Sequence, residues 1–583
     1  MKSTRPHKTE DRIERRMLIV FLFFFASFIA LGARLFVLQI AQYDEYAKIA
    51  LRQQRIIMSP RLDRGEIFGQ DKQGNLIPLA HNRTFKTLAL APKYITDPEA
   101  VMAGLVQEFA LDKDFLSAKV NRTDDPYEVL LRKLDPERTI PFSQKRLAGV
   151  LFEDDRRRVY PSSTTAAHLL GFVSREIDAE IGRYGLERYY ESLLSGGEAT
   201  RDDSKYEKNF WDTFALSLRE ERRDAARIIL TMDYIIQTKA EEILAAVREK
   251  WQAVSGSLIV LEPKTGRILA MAGTPSFDPN EFGKEKDLSV FLNTSVEAMY
   301  ELGSVMKPIT MAAGIEEGVV RPDSTYTDRG EMRIAGYTIK NFDERAYGVQ
   351  TMMQVIEKSL NTGAVHVARL LGKDRQYEYL HKFGFGERTA IDLPGEVAGN
   401  LFNLDAGREI DFATAAFGQG IAITDIQLAS AIGALANKGH LMKPHVVERI
   451  VETSGTELKI EPQLVREVVS SETADILTKM LVSAVRVGFE NRAGVKGYFV
   501  AGKTGTAQIP KQDGRGYSEE YIHTYVGYAP AFNPRFVILI RLNKPKGNLF
   551  AANTLTLPFH DLAEFILHYY EVPPDEQEVK PVQ

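Results

Sequence analysis

Residues 300–318, YELGSVMKPITMAAGIEEG, decide how the rest of the chain is read. At their centre Ser304 and Lys307 stand three apart at the head of an apolar helical run. On a helix such residues share one face, with about 5–6 Å between Cβ atoms, which sets an amine one turn from a hydroxyl. Serine is a weak nucleophile until a neighbouring base takes its proton, and a desolvated, neutral lysine is such a base. Gly303 lets the chain turn tightly into that helix. An ordinary helix start with a surface lysine has the same spelling, so support must come from elsewhere in the chain.

Two further motifs supply it. Ser359-Leu360-Asn361 lies in residues 355–372, VIEKSLNTGAVHVARLLG. Alternate residues of an extended segment point the same way, so hydroxyl and amide can face one cleft. There the hydroxyl can shuttle a proton to a leaving group and the amide can hold a carbonyl; a helix cap is the competing reading. Lys503-Thr504-Gly505-Thr506 follows a predicted strand at 498–501. Lysine and threonine suit a substrate carboxylate, and Gly505 permits close approach to the backbone. The N–H that follows is available to an oxyanion hole. Lys264-Thr265-Gly266 repeats the same three letters after Pro263, between two predicted strands, where a turn accounts for them.

Composition narrows the chemistry. The 583 residues, 44% of them hydrophobic, suffice for several structural units. With 74 Lys+Arg against 79 Asp+Glu, the chain lacks the strongly basic character of a dedicated nucleic-acid binder. The absence of cysteine excludes disulfides, Cys-ligated zinc, iron–sulfur clusters and thiol catalysis. The ten histidines form no metal-binding spacing, so no metal is expected, and His366 reads as a packed helix residue. The nucleophile is therefore sought among the hydroxyls.

Residues 1–16 form a basic tail, 17–33 carry no charge, and 35–40 continue the apolar run after Arg34. Taken as one helix, 17–40 would span about 36 Å, enough to cross a bilayer. The basic flank places the N-terminus in the cytoplasm and the rest of the chain outside. Ala30-Leu31-Gly32-Ala33 also fits a signal-peptide cleavage site, but the apolar continuation favours an anchor.

Residues 41–60 read as an amphipathic connection, followed by a first unit at 61–227 and a second at 228–571. The first opens on a predicted hairpin, with strands around 64–68 and 76–80 and a turn at 71–75; its charged stretch at 197–227 reads as a loop or surface helix. The second shows a helix at 230–251, strands at 255–263, 266–273, 524–529 and 535–542, and a closing helix at 556–570. Strands at both of its ends predict an antiparallel sheet assembled from distant pieces and flanked by helices, an α+β fold. Residues 572–583 read as a loose tail.

In combination the three motifs resemble those shared by penicillin-binding proteins and serine β-lactamases. Other stretches are similar to monofunctional class B penicillin-binding proteins. They are Arg64-Gly65-x-Ile67, Tyr160-Pro161, Ala167-His168-Leu169-Leu170-Gly171-Phe172, Gly185-Leu186-Glu187, Phe417-Gly418-Gln419-Gly420 and Val526-Gly527-Tyr528-Ala529-Pro530. Leu302 departs from the pattern, which commonly has proline there.

This resemblance implies a membrane helix, a pedestal (dimerisation-type) domain and a transpeptidase domain of the β-lactamase-like fold. It implies that Ser304 attacks the D-Ala-D-Ala carbonyl of a peptidoglycan stem peptide with Lys307 as base. Ser359 and Lys503 would pass the proton to the departing D-Ala, and the backbone N–H groups of Ser304 and Thr506 would hold the oxyanion. Thr504 and Thr506, around Gly505, would grip the terminal carboxylate, and Asn361 the peptide carbonyl. β-Lactam antibiotics would acylate Ser304. No cofactor, metal or nucleic acid is implied. The implied location is the inner (cytoplasmic) membrane, single-pass. The implied partners are a polytopic glycosyltransferase of the shape, elongation, division and sporulation (SEDS) class and other division or elongation proteins. A D,D-carboxypeptidase, a β-lactamase, a β-lactam sensor, a bifunctional class A enzyme and a catalytically retired scaffold are the competing readings.

Overall fold

The computed structural model describes residues 10–37, 63–122, 125–176, 179–196, 225–488, 491–511 and 516–575. The first helix, α1 (Glu10–Phe36), contains a 21-residue stretch, Arg16–Phe36, of hydropathy 2.3, long and apolar enough to cross a membrane. The end of the predicted span at 38–40, the connection at 41–60 and most of the charged stretch, 197–224, lie outside the described residues.

The chain then runs through β1 (Ile67–Gln70), β2 (Leu76–Leu90), β3 (Glu128–Leu134) and β4 (Val150–Val159). β5 (Arg227–Asp233) leads into α2 (Tyr234–Lys250), β6 (Ser255–Leu261) and β7 (Ile268–Thr274). Helical segments follow, among them α3 (Lys307–Glu316), α4 (Asn361–Leu371) and α5 (Asp425–Ala436). Then come β8 (Val447–Val451), β9 (Glu457–Lys459), α6 (Ser471–Val487) and β10 (Ala501–Pro510). β11 (Tyr517–Ala529), β12 (Phe536–Asn543) and α7 (Ala551–Tyr569) complete the order.

The sheet that carries the site has the order β10-β11-β12-β6-β7, antiparallel throughout and drawn from distant stretches as expected. Its strands are continuous apolar runs because both faces are covered. Leu258, Val260, Ile538 and Ile540 pack with Ile236 and Leu244 of α2 and Phe559 and Leu562 of α7. Their alternate neighbours Ile259, Leu261, Val537 and Leu539 belong to the opposite core, with Leu428 and Ile432 of α5. Each such side chain contributes about 1.5–3 kcal/mol on burial. Arg541 of β12, fully buried within this sheet, donates to Asp425 at the start of α5 at 2.9 Å.

The second sheet has the order β9-β8-β5-β1-β2-β3, with β4 also on β2. The predicted hairpin is β1–β2, closed where Asp71 accepts the N–H groups of Gln73 and Asn75, both at 2.9 Å. β5 lies parallel to β1, so the sheet combines early and late parts of the chain.

Several boundaries differ from the sequence reading, and three of them bear on the architecture. The helix expected from residue 230 starts at Tyr234; before it, six successive buried residues form β5, and Asp233 caps the helix by accepting from Ile235 and Ile236 N–H. The strand expected at 498–501 starts at Ala501 and carries the Lys-Thr-Gly motif itself. The start of the tail is held, with Asp575 accepting from Phe499 N–H at 3.0 Å.

Candidate active site

Gly303 has φ +64°, and a Cβ there would lie 2.8 Å from the Thr506 carbonyl oxygen. Glycine therefore allows both the left-handed turn and the close approach of β10. The next residues, Gly303–Met306, form a 3-10 turn before α3 begins at Lys307. Three residues per turn stack position i over i+3, which places Ser304 and Lys307 on one side. Ser304 is half-buried and Lys307 is 1% exposed.

Lys307 Nζ donates to Asn361 Oδ1 at 2.8 Å and Ser359 Oγ at 3.2 Å, and also to the Ser359 carbonyl. Lys503 Nζ reaches the same Ser359 Oγ at 2.9 Å and the Thr504 carbonyl at 3.1 Å. Burial, then the neighbouring Lys503 charge, pushes Lys307 well below the ordinary lysine range. Burial alone brings Lys503 down to about 7. The site thus favours a neutral amine beside the hydroxyls, the form a base requires.

The second motif is not an extended segment. Ser359 sits in a left-handed turn, φ +56°, between two helices, and Asn361 is the first residue of α4. That turn, rather than strand alternation, brings both side chains to Lys307. In the third motif Gly505 is the contact point: a Cβ there would lie 2.4 Å from the Leu302 carbonyl oxygen. Thr504 is buried. Thr506 Oγ1 accepts from Ala551 N–H at 3.1 Å, tying β10 to the start of α7; the hydroxyl keeps its own hydrogen to donate.

The repeated Lys264-Thr265-Gly266 is the turn between β6 and β7, with Gly266 at φ +82° and Lys264 donating to Asn533 at 2.8 Å. His366 stacks on the Tyr326 ring at 5.3 Å, and burial lowers its pKa.

Two contacts escaped the sequence reading. Gly303 N–H donates to the Gly418 carbonyl at 3.1 Å, so the Phe417–Gly420 stretch braces the turn that carries Ser304. Glu301, pushed up to about 7 by burial, accepts from Tyr517 Oη at 3.0 Å. Glu301's place three residues before Ser304 was the only signal available; nothing marks Tyr517, 216 residues away.

The model of the penicillin binding protein transpeptidase domain matches residues 256–559, and that of the penicillin-binding protein dimerisation domain matches residues 61–209. Stage V sporulation protein D of Bacillus subtilis is 31% identical over 559 residues, covering 94% of this chain and 84% of that protein. Peptidoglycan D,D-transpeptidase FtsI of Escherichia coli is 28% identical over 515 residues, covering 87% and 84%. The structure of penicillin binding protein 3 from Mycobacterium tuberculosis complexed with aztreonam superposes with a TM-score of 0.67 at 26% identity, covering 88% of this chain and 98% of that one. With a transpeptidase domain matched across more than half its length and a dimerisation domain before it, the chain belongs to the class B penicillin-binding proteins.

Proposed function

We propose that this protein is a peptidoglycan D,D-transpeptidase that cross-links stem peptides through an ester on Ser304. The observation that carries the reading is the buried cluster in which Lys307 and Lys503 share the Ser359 hydroxyl, next to the turn that presents Ser304. Neutral Lys307 takes the Ser304 proton as Oγ attacks the carbonyl between the two D-alanines. The C–N bond breaks, and Ser359 with Lys503 delivers a proton to the departing amine. Backbone N–H groups of Ser304 and Thr506 hold the oxyanion, each such donor contributing about 2.7–4 kcal/mol. Thr504 and Thr506 take the terminal carboxylate, with Gly505 giving access, and Asn361 takes the peptide carbonyl. The amine of a neighbouring stem then attacks the ester, forms the cross-link and frees Ser304.

A β-lactam enters the same path, but its leaving nitrogen stays tethered to the acyl group, so the ester persists. The relatives' structures with aztreonam and ampicillin support that outcome.

In this reading α1 anchors the chain in the cytoplasmic membrane, residues 61–227 form the pedestal and 228–571 the transpeptidase unit outside the cell. A SEDS-class glycosyltransferase and other division or elongation proteins are the partners, with division favoured. Gel labelling with a fluorescent penicillin tests the chemistry. Wild type gives a stable band that Ser304→Ala abolishes; undiminished labelling of the variant overturns the assignment. Incubation with a stem pentapeptide and an amine acceptor distinguishes transpeptidation, which yields a cross-linked product, from carboxypeptidase action, which yields only free D-Ala.

A further inference from the structure

Asn361 is held from behind by a segment to which the reaction assigns no role. Its Nδ2 donates to the Lys340 carbonyl at 2.9 Å while Oδ1 receives Lys307 Nζ at 2.8 Å. The two ends of an amide are a donor and an acceptor on one rigid plane, so fixing one orients the other. The second Nδ2 hydrogen remains for a ligand.

Lys340 closes a small hairpin, Glu331–Ile334 against Tyr337–Lys340, whose residues are largely exposed. The hairpin is fastened at its base by Asp328, which is 2% exposed. The Asp328 carboxylate receives Thr362 Oγ1 at 2.7 Å, Asn341 Nδ2 at 2.9 and 3.0 Å, Tyr347 N–H at 3.0 Å and Gly330 N–H at 3.1 Å. Asn341 in turn donates its N–H to the Gly330 carbonyl at 2.9 Å and accepts Thr362 N–H at 3.3 Å.

The register is telling. Lys340 and Asn361 meet at the active site, and their immediate successors, Asn341 and Thr362, meet on Asp328. None of the four groups on Asp328 is a cation. A carboxylate buried in this way is tolerated only when its acceptor positions are filled, so loss of one donor loosens the whole arrangement.

We propose that Asp328, Asn341 and Thr362 form a positioning cluster that sets the orientation of the Asn361 amide and, through it, the acceptor offered to Lys307. The cluster touches neither substrate nor nucleophile; it acts through the Lys340 carbonyl. The proposal rests on the reading of Ser304, Lys307 and Asn361 as the acyl-transfer site.

Thr362→Val removes the hydroxyl donor and keeps the side-chain shape, Thr362→Ser keeps the donor, and Asp328→Asn puts a donor where an acceptor is needed. The measurement is the second-order rate of acylation of the full-length protein by fluorescent penicillin from pH 5 to 9, with melting temperature alongside. Thr362→Val and Asp328→Asn are expected to slow acylation at least tenfold, and Thr362→Ser to stay within twofold of wild type. Losing the Oδ1 acceptor removes a contact that favours charged Lys307, so the acidic limb of Thr362→Val moves to lower pH, Lys503 being the other charged group beside it. A Thr362→Val variant with lowered melting temperature but wild-type acylation and an unmoved limb overturns the proposal and leaves a structural role. Asn361→Ala separates the two levels. If it is impaired while Thr362→Val is not, the cluster proposal alone fails; if it is unimpaired, the site reading itself fails.

Discussion

Lys307 and Lys503 both donate to Ser359 Oγ, at 3.2 and 2.9 Å, and a hydroxyl oxygen has two lone pairs to receive them. Two full charges so placed in a buried site would repel, which is why Lys503 adds to the burial effect on Lys307. A lysine base works only when neutral, above its pKa, and lowering that pKa extends its working range downward in pH. Acylation by penicillin is therefore expected to rise with pH along an acidic limb set by the lowered lysines, and to be near its plateau at pH 8. A limb centred near 10, where an ordinary lysine titrates, removes Lys307 from the role of base. That Lys307, Ser359 and Lys503 would be gathered at one place was legible because the three motifs, taken together, point to one cleft. The left-handed turn at Ser359 was not, because a serine there gives no sign of positive φ. The Lys340 carbonyl was invisible for a related reason: a main-chain oxygen has no letter of its own.

At the scale of elements, the passage from β5 to α2 shows how far periodicity reaches. Residues 228–233 are buried on both faces and so lack the alternation of a half-exposed strand, while the helix after them is plainly amphipathic. The pattern merged the two, although Asp233 marked the join as a cap. On α2, Glu241 accepts from Ala166 N–H at 2.7 Å and from Gln237 at 2.8 Å, linking the helix to the early part of the chain. Burial pushes Glu241 up to about 7. Its folded pKa thus lies above the unfolded value, so the folded state holds the proton more tightly and stability falls as pH rises from the ordinary glutamate range through about 7. The charged form costs roughly 3 kcal/mol at alkaline pH. Glu241→Gln keeps an acceptor for both donors and removes that cost. Its melting temperature is expected to exceed wild type by several degrees at pH 8 and to match it at pH 4; equal values at both pH values contradict the account.

At the scale of the molecule, the composite sheet ties the two parts of the chain together. β5 is paired on one side to β8 and on the other to β1, and Tyr190 Oη adds a bond to Asp392 at 2.9 Å. A chain cut to begin at residue 227 would retain β8 but expose the other edge of β5, an unpaired apolar strand. Residues 63–583 are expected to purify as a soluble protein that labels with penicillin, and residues 227–583 to aggregate. A monomeric, fully labelled short form contradicts this. The order of the strands was not legible in the sequence, but an antiparallel core assembled from apolar runs at both ends of the second unit was. The pairing of β1 with β5 was not, because parallel partners far apart in sequence share no turn whose letters would announce them.

The same pairing has a mechanical consequence. β1 is entered at its N-terminal end, whereas β5 hands on to α2 at its C-terminal end. A pull along the chain towards residue 63, resisted by the antiparallel sheet that carries Lys503, would load these two parallel strands in shear. Their hydrogen bonds would then share the load together instead of opening one after another, and tension applied at residue 63 would reach α2 through a stiff path.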